Sequence, residues 1–302
     1  MLINAIAIVP TLAQLSYPAA FQNWATIVVG LTLQATPFLA LGVVVSASLH
    51  AFVSDALIAR LVPKRAVVAV PVAAVAAAAL PGCECSAVPV AGRLVSRGVN
   101  PAAALTFLLA APALNPVVLV ATAVAFPGRP VMVLARFVAS FIAATAVGLI
   151  WSRRADCAQL RFHGHDHGGT AGERFVRTMV HDFAQAGGYL VLGSTLVATL
   201  QTAVAPSALS RIGGKGPLSI LVMAVLAVVL SICSEADAFV AASLLQFSMT
   251  ARLVFLTVGP MIDMKLFAMQ VGAFGRRFAT RFAPLTFVCA ITSALLVAWV
   301  LL

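Results

Sequence analysis

The chain has 302 residues, of which 62% are hydrophobic and only 9% charged, and its mean hydropathy is +1.06. Soluble domains are about one quarter charged, so this composition excludes a soluble globular protein, and the lack of alternating polar and apolar residues excludes a transmembrane barrel. The net charge of +10, from 19 Lys+Arg against 9 Asp+Glu, does not point to nucleic acid; the basic residues lie in short loops between apolar runs, where they set topology.

Apolar runs recur at 24–53, 66–80, 101–126, 131–151, 175–204, 217–233, 253–274 and 283–302. The longer ones reach the roughly 20 residues with which a helix crosses a hydrocarbon core of about 30 Å. The first is long enough to span alone. Two short segments follow, 66–80 and 86–97, and neither spans comfortably. Together they predict a re-entrant hairpin with Pro81-Gly82-Cys83-Glu84-Cys85 at its tip; irregular backbone at that depth is tolerated only where protein buries it or a wet cavity meets it. The next run is interrupted at Leu114-Asn115-Pro116, which frees backbone groups for a ligand. A closing helix over 131–151 completes the first half.

A polar stretch, RFHGHDHGGTAGER at 161–174, separates this half from the next. His163, His165 and His167, with Asp166, offer ligands to a divalent metal, although their glycine neighbours also suit a solvated linker. Domain boundaries are therefore placed at 20–151, 152–174 and 175–302: a membrane repeat, a His-rich cytoplasmic linker, and a second membrane repeat.

The second half resembles the first. PFLALGVVVSASLHAFVSDALIARL (37–61) set on GYLVLGSTLVATLQTAVAPSALSRI (188–212) gives 7 identities in 25, among them Gly42/Gly193 and Arg60/Arg211. A second block, offset by 148, pairs Cys85-Ser86 with Cys233-Ser234, Pro112 with Pro260, and Asn115 with Asp263. If the N-terminus lies outside, 13 basic residues, Arg93 among them, face the cytoplasm. Five (Arg129, Arg136, Arg211, Lys215 and Arg252) face outward, and Lys265 stays in the membrane. That bias satisfies the positive-inside rule and gives each half an odd number of crossings, so the halves have inverted topology. The expected fold is an all-α polytopic membrane protein of two inverted repeats, each with a re-entrant hairpin and a broken helix. That makes about six full spans plus two hairpins, or eight to ten spans if the short segments cross.

Four acidic residues fall at membrane depth: Glu84, Glu235, Asp237 and Asp263, with Lys265 as the one base among them. Each such charge costs about 2.5–3.5 kcal/mol at a helix centre, so these residues face a pathway or pair with one another. Asp263 and Lys265 suit an internal ion pair; Glu84, Glu235 and Asp237 suit proton coupling or a cationic substrate. Cys83, Cys85 and Cys233 sit at symmetry-related tips, and three converging thiols would be soft ligands for a soft metal or metalloid. Cys157 and Cys289 read as small apolar packers.

PGCECSAVPVAGRLVSRGVNPAAALTFLLAAPALNP and SEADAFVAASL with FLTVGPMIDMK resemble the paired signatures of the predicted-permease family typified by YraQ, over roughly residues 20–300. The resemblance implies a bacterial inner-membrane permease, and the best-known similar proteins export trivalent methylated arsenicals, which seek thiols. By position it carries over Cys83, Cys85, Pro89, Asn115, Pro116, Ser234, Glu235, Asp237, Asp263 and Lys265.

The function expected is a secondary permease, not an enzyme, that exports a thiophilic metalloid or soft metal species by alternating access, with proton coupling. No G-x-x-x-x-G-K-[ST] motif is present, so no nucleotide or other cofactor is called for. Its partners are lipid and a small-molecule or ion substrate; nucleic acid is not among them, and a homo-oligomer is compatible. Two alternatives stand beside it: a transmembrane thiol–disulfide carrier using Cys83, Cys85 and Cys233, and a passive ion channel.

Overall fold

The computed structural model describes residues 19–52, 65–78, 83–154, 170–203 and 216–302. Among them every regular element is an α-helix. The first half contributes α1 (Ala19–Phe52), α2 (Ala66–Ala78), α3 (Glu84–Ser96), α4 (Pro101–Leu114), α5 (Pro116–Ala125) and α6 (Pro130–Ser152). The second contributes α7 (Ala171–Ala203), α8 (Pro217–Leu230), α9 (Asp237–Ser243), α10 (Met249–Val258), α11 (Met264–Phe274) and α12 (Arg276–Leu301). The order matches element for element.

Local chemistry sets the boundaries. Pro101, Pro116, Pro130 and Pro217 each open a helix, where a missing N–H costs nothing and φ is already helical. The residue before proline is driven to extended backbone, so Asn115, at φ −53° and ψ 132°, breaks the run after Leu114. Its side chain then accepts a 2.8 Å hydrogen bond from Val117 N and starts α5. Asp263 does the same for α11 by accepting from Leu266 N. Asn115 and Asp263, aligned by sequence, thus cap equivalent helices.

Two long antiparallel pairs frame the molecule. Trp24 Nε1 donates to Thr199 Oγ1 at 3.0 Å near one end of α1 and α7, and Ser46 Oγ donates to Asp182 Oδ2 at 3.3 Å further along. Trp151, near the end of α6, packs edge-on against Phe278 and Phe282, near the start of α12. In both pairs, helices that correspond by sequence run in opposite directions, as inverted topology requires.

Between these pairs lie the short helices. The α4 helix is buried along its whole length from Ala102 to Leu114 and packs against α2, α3 and α6. Across the halves, α3 packs on α11 and α5 packs on α9. Large apolar side chains face outward instead, including Leu33, Val120, Val124 and Trp299; a surface of this kind belongs in lipid.

Among the described residues, five stretches are long and apolar enough to cross a membrane: Phe21–Ser48, Pro101–Ala125, Pro130–Ser152, Phe175–Thr202 and Arg276–Leu301. The remaining expected span, 253–274, is divided into α10 and α11 by the turn at 259–263, where Pro260 interrupts the helix.

Arg136 and Arg93, which the charge bias assigns to opposite membrane faces, are both enclosed by protein, with relative exposures of 0% and 1%. Arg136 is six residues into α6, on the face with Met132, Ala139 and Ala143, and this small-residue stripe leaves room for a guanidinium against its neighbours. Arg93 lies on a helix whose residues from Glu84 to Arg93 are all buried.

Candidate functional site

The candidate site forms where α3, α9 and α11 begin. Cys83 is the N-cap of α3 and Glu84 its first residue; both are buried. Lys265, fully buried near the start of α11, places Nζ 2.7 Å from Glu84 Oε1 and 3.8 Å from Asp263 Oδ2. The expected Asp263–Lys265 pair is therefore present, but the closer partner of Lys265 is Glu84 from the other half.

Two glycines permit this approach. A Cβ on Gly42 of α1 would collide with the backbone of Ser86, and a Cβ on Gly193 of α7 would lie 2.9 Å from Lys265 Cα. These are the residues that the repeat aligns. Each lets a long helix press directly on the start of a short one.

The second half supplies the segment 231–236 between α8 and α9. Ser231 is left-handed at φ 46°, unusual for a residue with a side chain. Its Oγ donates to Val228 O at 2.8 Å and accepts from Met264 N at 3.3 Å, joining the end of α8 to the start of α11. Cys233 follows, buried, within electrostatic reach of Cys83, Glu84, Lys265 and Glu235. Cys83 and Cys85 lie within electrostatic reach of each other and of Glu84 and Lys265. Three thiols from both halves thus gather around one carboxylate–ammonium pair, and each of them is free of disulfide bonding. Among the described residues, no three His, Cys, Asp or Glu side chains are close enough in this state to hold a metal ion.

Beside them is a second ionic group. Arg136 donates to Asp237 Oδ2 at 2.7 Å, to Thr122 Oγ1 at 2.7 Å and to Ser234 O at 3.2 Å, linking α5, α6 and α9. Asp237 is thereby paired with a base that the sequence reading had placed in a loop. Glu235, half-buried, lies within electrostatic reach of Glu84, Lys265 and Arg136 and so bridges the two groups.

Four carboxylates (Glu84, Glu235, Asp237 and Asp263) therefore face two bases, Arg136 and Lys265. Two negative charges are left over in a low-dielectric setting, which a proton or a cation would neutralise. Asn115 is buried as the cap of α5. His163, His165 and His167 lie outside the described residues.

Sequence reasoning missed a third buried pair. Arg93 Nη2 donates to Asp182 Oδ1 and Oδ2 at 3.0 and 2.8 Å. One signal was available: Asp182 falls inside the apolar run 175–204, where an isolated carboxylate needs a base. All three pairs, Glu84–Lys265, Arg136–Asp237 and Arg93–Asp182, join one half to the other.

A family model described as predicted permease (ArsP_1) matches residues 20–299. The UPF0718 protein YcgR of Bacillus subtilis is 36% identical over 285 residues, covering 91% of this chain and 96% of that protein. A Streptococcus mutans protein, named as a two-component membrane permease complex subunit, is 30% identical over 276 residues, covering 88% of this chain and 91% of its own. No solved structure matches the chain significantly.

Proposed function

We propose that this chain, which belongs to the predicted-permease family, is a secondary permease of the bacterial inner membrane that exports a small thiophilic metalloid or soft metal species. Its two halves, 20–151 and 175–302, exchange access to the junction where α3, α9 and α11 begin. One observation carries the reading: Cys83, Cys85 and Cys233, drawn from both halves, are buried within electrostatic reach of the Glu84–Lys265 pair. Thiolate is the natural ligand of soft metals and metalloids. Thiols shared between two halves are made or separated when those halves move.

The carboxylates support coupling to protons. Loading a soft cation onto the thiols requires them to lose protons, and the carboxylates of the junction are acceptors for them. The substrate-binding set is Cys83, Glu84, Cys85, Asn115, Cys233, Ser234, Glu235, Asp237, Asp263 and Lys265, with Asn115 and Asp263 holding the broken helices in place. The Streptococcus mutans relative is named as a complex subunit; affinity purification of this chain tests whether a second subunit accompanies it.

The decisive experiment measures accumulation of trivalent methylarsenite, antimonite and Cd²⁺ in everted vesicles with and without the protein. Substrate-dependent uptake by the wild type, abolished in Cys83→Ser/Cys85→Ser/Cys233→Ser, is the expected result. Undiminished uptake by the triple variant would remove the thiols from the site and leave a permease with another cargo.

A further inference from the structure

The Arg93–Asp182 pair stands apart from the central junction. It is eight residues along α3 from Cys85, or about 12 Å at 1.5 Å per residue. Three helices meet there: α3 brings Arg93, α7 brings Asp182, and α1 brings Ser46, whose Oγ is within hydrogen-bond distance of Asp182 Oδ2 (3.3 Å) and Pro89 O (3.4 Å). All three side chains are buried.

Helices α3 and α11 both begin at the junction and pack on each other, so both run from it toward the end of the molecule that carries Arg97, Arg276 and Arg277. Arg153 and Arg177, at the end of α6 and the start of α7, lie at that same basic end. Within the seam between α3, α7 and α11 is a cavity of about 20 Å³, lined by Val88, Pro89, Asp182, Gln185, Tyr189 and Gly272 among others. That is room for about one water molecule. Its wall on α11 begins at Met269, one turn beyond Lys265, and its wall on α7 ends at Asp182. The Tyr189 ring lies where a Cβ on Gly272 would fall, so this glycine lets α7 lie close on α11. From the junction outward the order is Lys265 and Glu84, then the cavity, then Arg93 and Asp182, then the basic end.

We infer that the seam between α3, α7 and α11 is the translocation path from the central junction to the basic face, closed in this state by the Arg93–Asp182 pair acting as its gate. This rests on the permease reading for the word translocation, but not for the geometry. Opening requires α7, with α1, to part from α3. An ion pair suits that role: buried, its mutual attraction offsets its desolvation, and opened, water solvates both charges. The two states then lie close in free energy, as a two-position element requires.

The test reads access and needs no substrate. In a chain with all five cysteines changed to alanine, Met269→Cys reports on the cavity and Ala139→Cys reports on packing within α6. Both are labelled with a membrane-impermeant cationic methanethiosulfonate in vesicles of either orientation. With the pair intact, Met269→Cys labels slowly. In Arg93→Gln or Asp182→Asn it labels about tenfold faster or more, from the basic face only, as the open population rises. The swapped variant Arg93→Asp/Asp182→Arg returns to the slow rate, and Ala139→Cys is unchanged throughout. The gate is overturned by unchanged labelling in the single variants, by equal acceleration from both faces, by a swap as fast as the singles, or by acceleration at Ala139→Cys as well, which would mean general loosening. Failure of the wild-type chain, cysteines intact, to accumulate any of the three soft species, with the expected labelling, leaves the gate and refutes the cargo; wild-type transport without a change in labelling does the reverse.

Discussion

Arg136 and Asp237 offer the sharpest energetic test of the junction. At an effective dielectric of about 20, unit charges 2.7 Å apart attract by about 6 kcal/mol. Desolvating two ions opposes most of that, so the pair as a whole contributes little compared with apolar side chains of the same volume, whereas removing one partner strands the other. Arg136→Met leaves Asp237 at 2% exposure beside Glu235 and also deprives Thr122 and Ser234 of their donor. Asp237→Asn removes the carboxylate that contacts the guanidinium and leaves only the more distant Glu235 to offset it. Each single substitution is expected to cost about 3–5 kcal/mol, and the double Arg136→Met/Asp237→Asn no more than either single. Reversible unfolding in mixed micelles, titrated with dodecyl sulfate, gives the free energies for the cycle. A double variant that loses the sum of the two singles, about 6–10 kcal/mol, would show that the side chains act independently and that their 2.7 Å contact does not couple them.

Other outcomes follow from packing and capping. Gly42→Ala forces α1 away from Ser86 and should cost about 1–3 kcal/mol, whereas Gly30→Ala, with open space around it, should be neutral or slightly stabilising; the same micelle titration separates them. Asp263→Asn keeps the oxygen that accepts from Leu266 N, so it should exceed Asp263→Ala in stability by about 1 kcal/mol. If the two are equally stable, the cap does not hold the start of α11.

Much of the architecture was readable in the residues. The apolar runs, the prolines that open helices and the Asn115-Pro116 break are local signals, and the helices begin and end close to where those signals stand. Asn115 and Asp263, which the sequence aligns, cap α5 and α11, and the aligned Gly42 and Gly193 each admit a close helix contact. Cys83-Glu84-Cys85 stands out as polar sequence at membrane depth, and the structure buries it, with Glu84 paired to Lys265 of the second half.

The partners of the charges were not readable in this way. A positive-inside argument assigns Arg93 and Arg136 only to a membrane face. It has no means of seeing that Arg136 lies on the buried stripe of α6, or that Asp182 comes up beside Arg93 from the other half. Glu84 choosing Lys265, and Asp237 choosing Arg136, depend on which helices touch across the repeat boundary. Sequence by itself determined the class, the two halves and the residues that hydrocarbon would not accept, because each of those follows from composition, period and local backbone chemistry. Only the tertiary structure decided how those residues pair. A buried charge is neutralised by whatever lies within a few ångströms, and between residues 89 or 101 positions apart that proximity is set by packing alone.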